Sequence, residues 1–330
     1  MRVLITGASG FVGSHVLQNL LKGQFEVRAL ARSEAARDEL ANWGVEVVYG
    51  DLATGVGLED ACDGVDVVFH VGAMYSLERR HETAMYEVNV FGTRRLLQAI
   101  MRTSSIQRLV YTSSTAAVGL LPNGKPSDES VEVDPHDALP GYKRSKVLAE
   151  REVRAAIRQG LDAVIVNPST PIGSGDIKPT PTGMMIRDAV LGRMPAYVDT
   201  GLNWVAVSDV AAGHLLALEK GKCGERYILG NVNMTFRELL ERIAGLCEVP
   251  APRVRLPLSV ALGAAYLDEL VLSRISGRAP RAPIAGVKLA RHPMFYSSAL
   301  AVKELGLPQT PIDVALREAI EWFTDAARRR

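Results

Sequence analysis

The sequence predicts an α/β fold, a doubly wound parallel sheet joined to a smaller, discontinuous C-terminal domain. Three observations carry this. Short β-branched runs alternate with longer helical patterns through the first half, as repeated βαβ units require. The first run, Val3 to Thr6, ends in a glycine turn, Gly7 to Gly13, that opens a helix. From Asn167 the texture changes to loops rich in proline and glycine, and the regular alternation stops.

Taken in order, the strands are expected at Arg2 to Thr6, Glu26 to Ala31, Glu46 to Tyr49, Val67 to His70, Arg108 to Thr112 and Ala163 to Val166. Helical periodicity lies between them at Val12 to Leu21, Met85 to Met101 and Tyr142 to Gln159. After the loops around Pro168, Pro171, Gly173 and Pro179 comes a helix near Met184 to Leu191. Trp204 to Leu218 reads as a strand and a helix, and Arg226 to Leu229 as a further strand, so the chain is expected to return to the main domain there. The expected organisation is residues 1–168 with a return at about 204–230, and a second region built from 169–203 and 231–330. Thr235 to Cys247 and Ile312 to Phe323 are amphipathic helices, the second following Pro308 and Pro311, and Arg328 to Arg330 form a solvated end. The most apolar later stretch, Leu256 to Leu267, stops at Asp268 and Glu269, short of the roughly 20 residues a bilayer span needs. A core or interface helix is expected, with transient contact to a membrane surface as the alternative.

Bulk composition narrows the partners. Hydrophobic residues make up 47% of the 330 positions and charged residues 23%, which excludes a disordered chain. Lys and Arg number 38 against 37 Asp and Glu, a net charge of +1, so no broad basic field points to nucleic acid and a small-molecule partner is expected. Cys62, Cys223 and Cys247 are far apart and lack metal-ligand spacing, which implies no metal and a reducing, cytoplasmic setting. From the apolar strand at the first residues, no export signal is expected.

The glycine turn is where chemistry begins. Gly7, Gly10 and Gly13 lack side chains, so backbone can approach a pyrophosphate whose charge the helix N-terminus at Phe11 and Val12 favours, and Gly13 allows close helix–strand packing. A dinucleotide is the expected cofactor. After the second strand an NAD site offers Asp or Glu to the ribose hydroxyls, whereas this chain offers Ala31, Arg32 and Ser33. A guanidinium there accepts a 2′-phosphate, which favours NADP(H) and leaves NAD(H) as the alternative. Asp51 and Leu52 are placed to meet the adenine, and Val71, Gly72 and Ala73 the middle of the cofactor.

Tyr142 and Lys146 stand at i and i+4 on one helix face, where the ammonium is expected to lower the phenol pKa and to hold a ribose hydroxyl. Ser113, Ser114 and Thr115 follow a strand one loop upstream and supply hydroxyls for a substrate oxygen.

With TGASGFVG at Thr6 to Gly13, GDL at Gly50 to Leu52, VNVFGT around Asn89, YTSS at Tyr111 to Ser114, YKRSK at Tyr142 to Lys146, NPS at Asn167 to Ser169 and SDVA at Ser208 to Ala211, the chain resembles the extended short-chain dehydrogenases/reductases. The resemblance implies a Rossmann sheet with a substrate-binding C-terminal domain. It assigns Ser114 as catalytic serine, Tyr142 as acid/base and Lys146 as its partner, with Thr115 the neighbouring candidate for Ser114. It places Asn89, Asn167, Pro168 and Ser169 at the cofactor, and implies a homodimer through the helices Met85 to Met101 and Tyr142 to Gln159. The stretches NPSTPIGSGDIKPTPTGMMI and GRMPAYVDTGLN look like the hopanoid-associated sugar epimerases, themselves similar to dihydroflavonol reductases, which implies a link to hopanoid lipid side chains.

Epimerization and reduction start from the same residues, so the substrate side must separate them. Where nucleotide-sugar epimerases of this family carry an arginine that grips the diphosphate, this chain has Leu202. Losing such a charge-assisted contact costs about 1.5–3 kcal/mol, which argues against a nucleotide sugar. The expected substrate wall, Met74, Tyr75, Thr115, Thr170, Ile172, Met184, Met185, Tyr197 and Trp204, is apolar and aromatic. The expectation is therefore NADPH-dependent reduction of a ketone or aldehyde on a moderately hydrophobic substrate. The alternative is a sugar epimerase or dehydratase with tightly held NAD, and a non-catalytic NADP-binding protein is a third reading.

Overall fold

In a computed structural model of the chain, residues 1–280 and 282–328 are described, so the end expected at Arg328 to Arg330 lies outside the described residues apart from the Arg328 backbone. The strands are β1 (Arg2–Thr6), β2 (Glu26–Ala31), β3 (Glu46–Tyr49), β4 (Val67–His70), β5 (Arg108–Thr112), β6 (Ala163–Pro168), β7 (Thr170–Ile172), β8 (Ala196–Val198), β9 (Gly201–Ala206), β10 (Arg226–Leu229), β11 (Val232–Thr235) and β12 (Val254–Leu256). Seven of them form one parallel sheet in the order β10-β6-β5-β4-β1-β2-β3. The central strands β4 and β6 are buried throughout, as continuous Val/Ile runs covered by helices on both faces must be. One face packs Val3, Ile5 and Phe69 against Val16, Leu17 and Val210 from the helices Phe11–Lys22 and Val207–Lys220. The other packs Leu4, Val68 and Leu109 against Leu96, Ile100 and Val153 from the helices Gly92–Arg102 and Tyr142–Arg158.

The strand order reverses between β1 and β4, and there the loops at the carboxyl ends diverge to leave a crevice. The chain covers that crevice with two small sheets, β11-β9-β7 and β12-β8, and a third core containing Ile186, Trp204, Leu239, Leu316 and Phe323. The strand expected from Trp204 exists, but β9 pairs with β7 and β11 instead of the large sheet; only the helix Val207–Lys220 and β10 rejoin it.

Local chemistry explains the boundaries. The helix Pro181–Val190 starts ahead of the expected Met184 because Pro181 presets the first turn and Thr180 Oγ1 accepts from the Gly183 N–H at 3.0 Å. Thr235 and Glu238 form a capping box on the helix Phe236–Cys247. The pattern expected at Met85 to Met101 contains a π-turn at Glu87–Phe91, which inserts one residue around Asn89.

Candidate active site

The crevice is a cavity of about 1650 Å³ running from the carboxyl ends of β1 and β2, past β5, to the C-terminal region. At its cofactor end, Gly7 has φ +74°, and a Cβ there would lie 2.6 Å from Gly72 Cα. A Cβ on Gly13 would lie 1.9 Å from the Gly7 carbonyl oxygen, while the Gly10 N–H donates to that oxygen at 3.0 Å. Only side-chain-free backbone closes this loop, and it leaves the start of the helix Phe11–Lys22 bare toward the cavity. Thr6 Oγ1 accepts from the Gly72 N–H at 3.0 Å and lies 2.7 Å from Nδ1 of His70, whose Nε2 is 3.0 Å from Thr93 Oγ1. These bonds hold the Val71–Ala73 segment against the glycine loop, so the donor set and shape fit a dinucleotide. Phe11, Val12, Arg32, Asp51, Leu52, Val71, Gly72 and Ala73 all line this part. Arg32 is exposed and, among the described residues, forms no ion pair.

Deeper in, Tyr142 begins its helix directly after Gly141, whose φ of +84° turns the chain into the crevice. Ser114 caps the short turn Thr115–Ala117, its Oγ accepting from the Ala116 N–H at 3.1 Å, and it lines the cavity together with Tyr142. The Tyr75 ring lies 4.4 Å from that of Tyr142, centroid to centroid. Lys146 is buried; its Nζ donates to the Thr112 carbonyl at 2.8 Å and sits 5.3 Å from the Tyr111 ring. Burial pushes the Lys146 ammonium down to about 8 against the opposing pull of Glu150. The Tyr142 phenol is pushed above its ordinary range by burial, and the neighbouring Ser114 hydroxyl opposes this. The expected lowering of the Tyr142 pKa by Lys146 is not seen: desolvation dominates at the phenol, and one N–H of the ammonium donates to Thr112.

Several expected residues stand elsewhere. Asn89 is buried behind the wall, its Oδ1 accepting from the Met74 N–H at 2.7 Å and its Nδ2 donating to the Met74 carbonyl and to Ser145 Oγ. It aims the Met74–Tyr75 segment and does not face the cavity. Asn167 is also buried, donating from Nδ2 to the Ser114 carbonyl and to Glu150 Oε2, both at 3.0 Å, while Pro168 and Ser169 beside it do line the cavity. Trp204 and Ile172 belong to the third core, packed with Ile186, Met234 and Leu316; Trp204 Nε1 donates to the Met234 carbonyl. Met184 is exposed, whereas Met185, about 100° further round the helix, reaches the cavity with Met74, Tyr75, Thr115, Thr170 and Tyr197.

Glu150 escaped the sequence reading. Its buried carboxylate accepts from Ser113 Oγ at 2.6 Å and Asn167 on one oxygen, and from Arg226 and Arg154 on the other. The i+4 spacing from Lys146 was the available signal. The far wall was missed as well: Leu256, Ala261, Ala265 and Leu272 close the cavity from the C-terminal region, opposite Leu202, Phe236 and Met294.

Comparison with known proteins agrees with this geometry. The profile of the NAD dependent epimerase/dehydratase family matches residues 3–230. A protein of Synechocystis sp. named for dihydroflavonol 4-reductase is 45% identical over 97% of this chain and 93% of its own. Sterol demethylase protein B of Methylococcus capsulatus is 34% identical over 98% of this chain and 99% of its own. The crystal structure of gox2253 superposes with a TM-score of 0.87 at 43% identity, covering 99% of each chain. With a seven-stranded parallel sheet, a glycine loop at its switch point and this profile over most of its length, the chain belongs to the NAD-dependent epimerase/dehydratase family of extended short-chain dehydrogenases/reductases, NAD(P)-dependent enzymes.

Proposed function

We propose that the protein reduces a ketone or aldehyde on a moderately hydrophobic substrate to the alcohol, with NADPH as the reductant. The observation that carries this is the apolar wall beyond Tyr142, where Leu202 lines the cavity in place of a diphosphate-gripping arginine, alongside Met185, Met194, Phe236 and Met294. The names of two relatives, one a reductase and one a sterol enzyme, support a reductive reaction on an apolar substrate. The subgroup resemblance to hopanoid-associated proteins supports a lipid side chain as the carrier of the carbonyl. Residues 1–168 with the return segment take the cofactor, and 169–203 with 231–330 take the substrate.

When bound, NADPH would supply the hydride for the carbonyl carbon. Tyr142 gives its proton to the carbonyl oxygen, and its raised pKa keeps the O–H intact at neutral pH. Ser114 Oγ donates to the same oxygen as charge develops there. Lys146 would hold the ribose with its remaining N–H groups, and Glu150 with Asn167 anchors the backbone that presents Ser114. Stoichiometric consumption of NADPH by purified protein with lipophilic ketones is the expected result. Retained, non-exchanging NAD with sugar epimerization and no net NADPH oxidation would overturn the reading.

Arg32 carries the cofactor preference. Calorimetry is expected to show NADPH binding at least about tenfold tighter than NADH, and Arg32→Ala is expected to erase the difference, since a charge-assisted bond contributes about 1.5–3 kcal/mol. A second expectation concerns pH. The protonated Lys146 is the active form, so kcat/KM falls as pH rises through about 8, and Lys146→Arg moves that alkaline limb upward. An unchanged limb in the variant would assign it to another group. The helices Gly92–Arg102 and Tyr142–Arg158, linked by the Arg94–Glu152 ion pair at 2.7 Å, are proposed to pair across a two-fold axis, with Phe91 exposed beside them. Light scattering is expected to give a dimer at micromolar concentration.

A further inference from the structure

The helical run from Leu258 through Ser276 is apolar around its first three turns, a composition that belongs in a core, yet it lies at the surface. Its two sides differ. Ala261, Ala265, Asp268 and Leu272 line the cavity. Val260, Leu267, Leu270, Val271 and Ile275, at the i, i+3 and i+4 spacings of a second face, are exposed, Leu267 at 56% and Ile275 at 81%. Leu272 lines the cavity while 46% exposed, so the exposed face borders the cavity mouth. A contiguous apolar face of this kind marks a contact site.

Charge identifies the contact. Residues 251–291 hold seven Lys and Arg, among them Arg253, Arg274, Lys288 and Arg291, against two acids, Asp268 and Glu269, in a chain whose net charge is only +1. Both acids are engaged, Asp268 with Arg278 and Glu269 Oε2 with the Ile284 N–H at 2.7 Å. A second copy meeting this face across a two-fold axis would bring like charges together, since such an interface joins a patch to itself. An anionic lipid surface matches both features, apolar side chains entering the acyl boundary and cations meeting headgroups. Among the described residues no helix is long and apolar enough to cross a membrane, so the contact is peripheral. We propose that this face docks the protein on anionic bilayers and sets the cavity mouth at the lipid, where an apolar substrate enters without crossing water. The docking surface is read from exposure and charge and goes beyond the carbonyl chemistry proposed above.

Flotation with phosphatidylcholine vesicles, with and without phosphatidylglycerol, tests it on the full chain. The protein is expected to float with the anionic vesicles and to be released by salt. The triple variant Leu267→Ser, Leu270→Ser, Ile275→Ser is expected to lower binding at least about tenfold. Arg253→Gln with Arg274→Gln is expected to lower it about fivefold per cation. Both should keep the melting temperature and NADPH affinity of the parent, which separates a lost surface from a lost fold or a failed cofactor assignment. Failure of the parent to float, or equal flotation of both folded variants, would overturn the proposal. So would light scattering showing a dimer that the triple variant dissolves, which would assign the face to a second copy.

Discussion

Tyr142→Phe is expected to lower kcat by about 10²- to 10⁴-fold, the range spanned by a positioned general acid, with NADPH affinity and melting temperature close to the parent values. The Tyr142 side chain lines the cavity together with Ser114 and has the Tyr75 ring beside it, so removing one oxygen takes away the proton without opening the core. Steady-state NADPH oxidation and calorimetry check both halves. A Phe variant with parental turnover would exclude Tyr142 as the proton donor and leave Ser114 or water as the source.

The second large effect is at the glycine loop. In Gly13→Ala the new methyl would sit 1.9 Å from the Gly7 carbonyl oxygen, a backbone atom that cannot swing away, so the helix Phe11–Lys22 must move off β1. Overpacking of this kind costs about 1–3 kcal/mol of stability, and the displaced helix start should weaken cofactor binding by more than about tenfold. Gly10→Ala is the milder comparison, because its methyl would meet the same oxygen at 3.2 Å, where a shift of a few tenths of an ångström suffices. Thermal unfolding and NADPH titration of the two variants are expected to rank Gly13 well below Gly10. Equal behaviour would show that the loop tolerates the displacement.

Legibility in the sequence followed the range of the forces involved. β1 and β2 were placed to the residue, because a buried parallel strand writes itself as an apolar run bounded by turn residues. The Tyr142–Lys146 spacing and the glycine loop were legible for the same reason, being contained within a turn or two of chain. Asn89 and Asn167 show the limit: motif position located them near the site, but whether an amide faces a ligand or a neighbouring carbonyl depends on what lies across the cleft. For Asn89 the π-turn decided it, and for Asn167 the buried Glu150 carboxylate did. Trp204 was placed in the substrate wall for its size and aromaticity, and packing against Met234, Ile186 and Leu316 from distant segments holds it in the core instead.

The sequence by itself determined the parallel sheet, the family and the glycine loop, since each depends on local periodicity or on residues close in the chain, and it is the source of the proposed Ser114, Tyr142 and Lys146 set. The tertiary structure alone decided that Lys146 is held by Thr112 while Tyr142 is raised by burial, because desolvation arises from packing between distant segments. It decided too that the apolar run after Leu256 serves as a cavity wall on one side and an exposed face on the other. A helix apolar all round carries no directional pattern, so only the neighbours that cover part of it, and those that do not, can assign its faces.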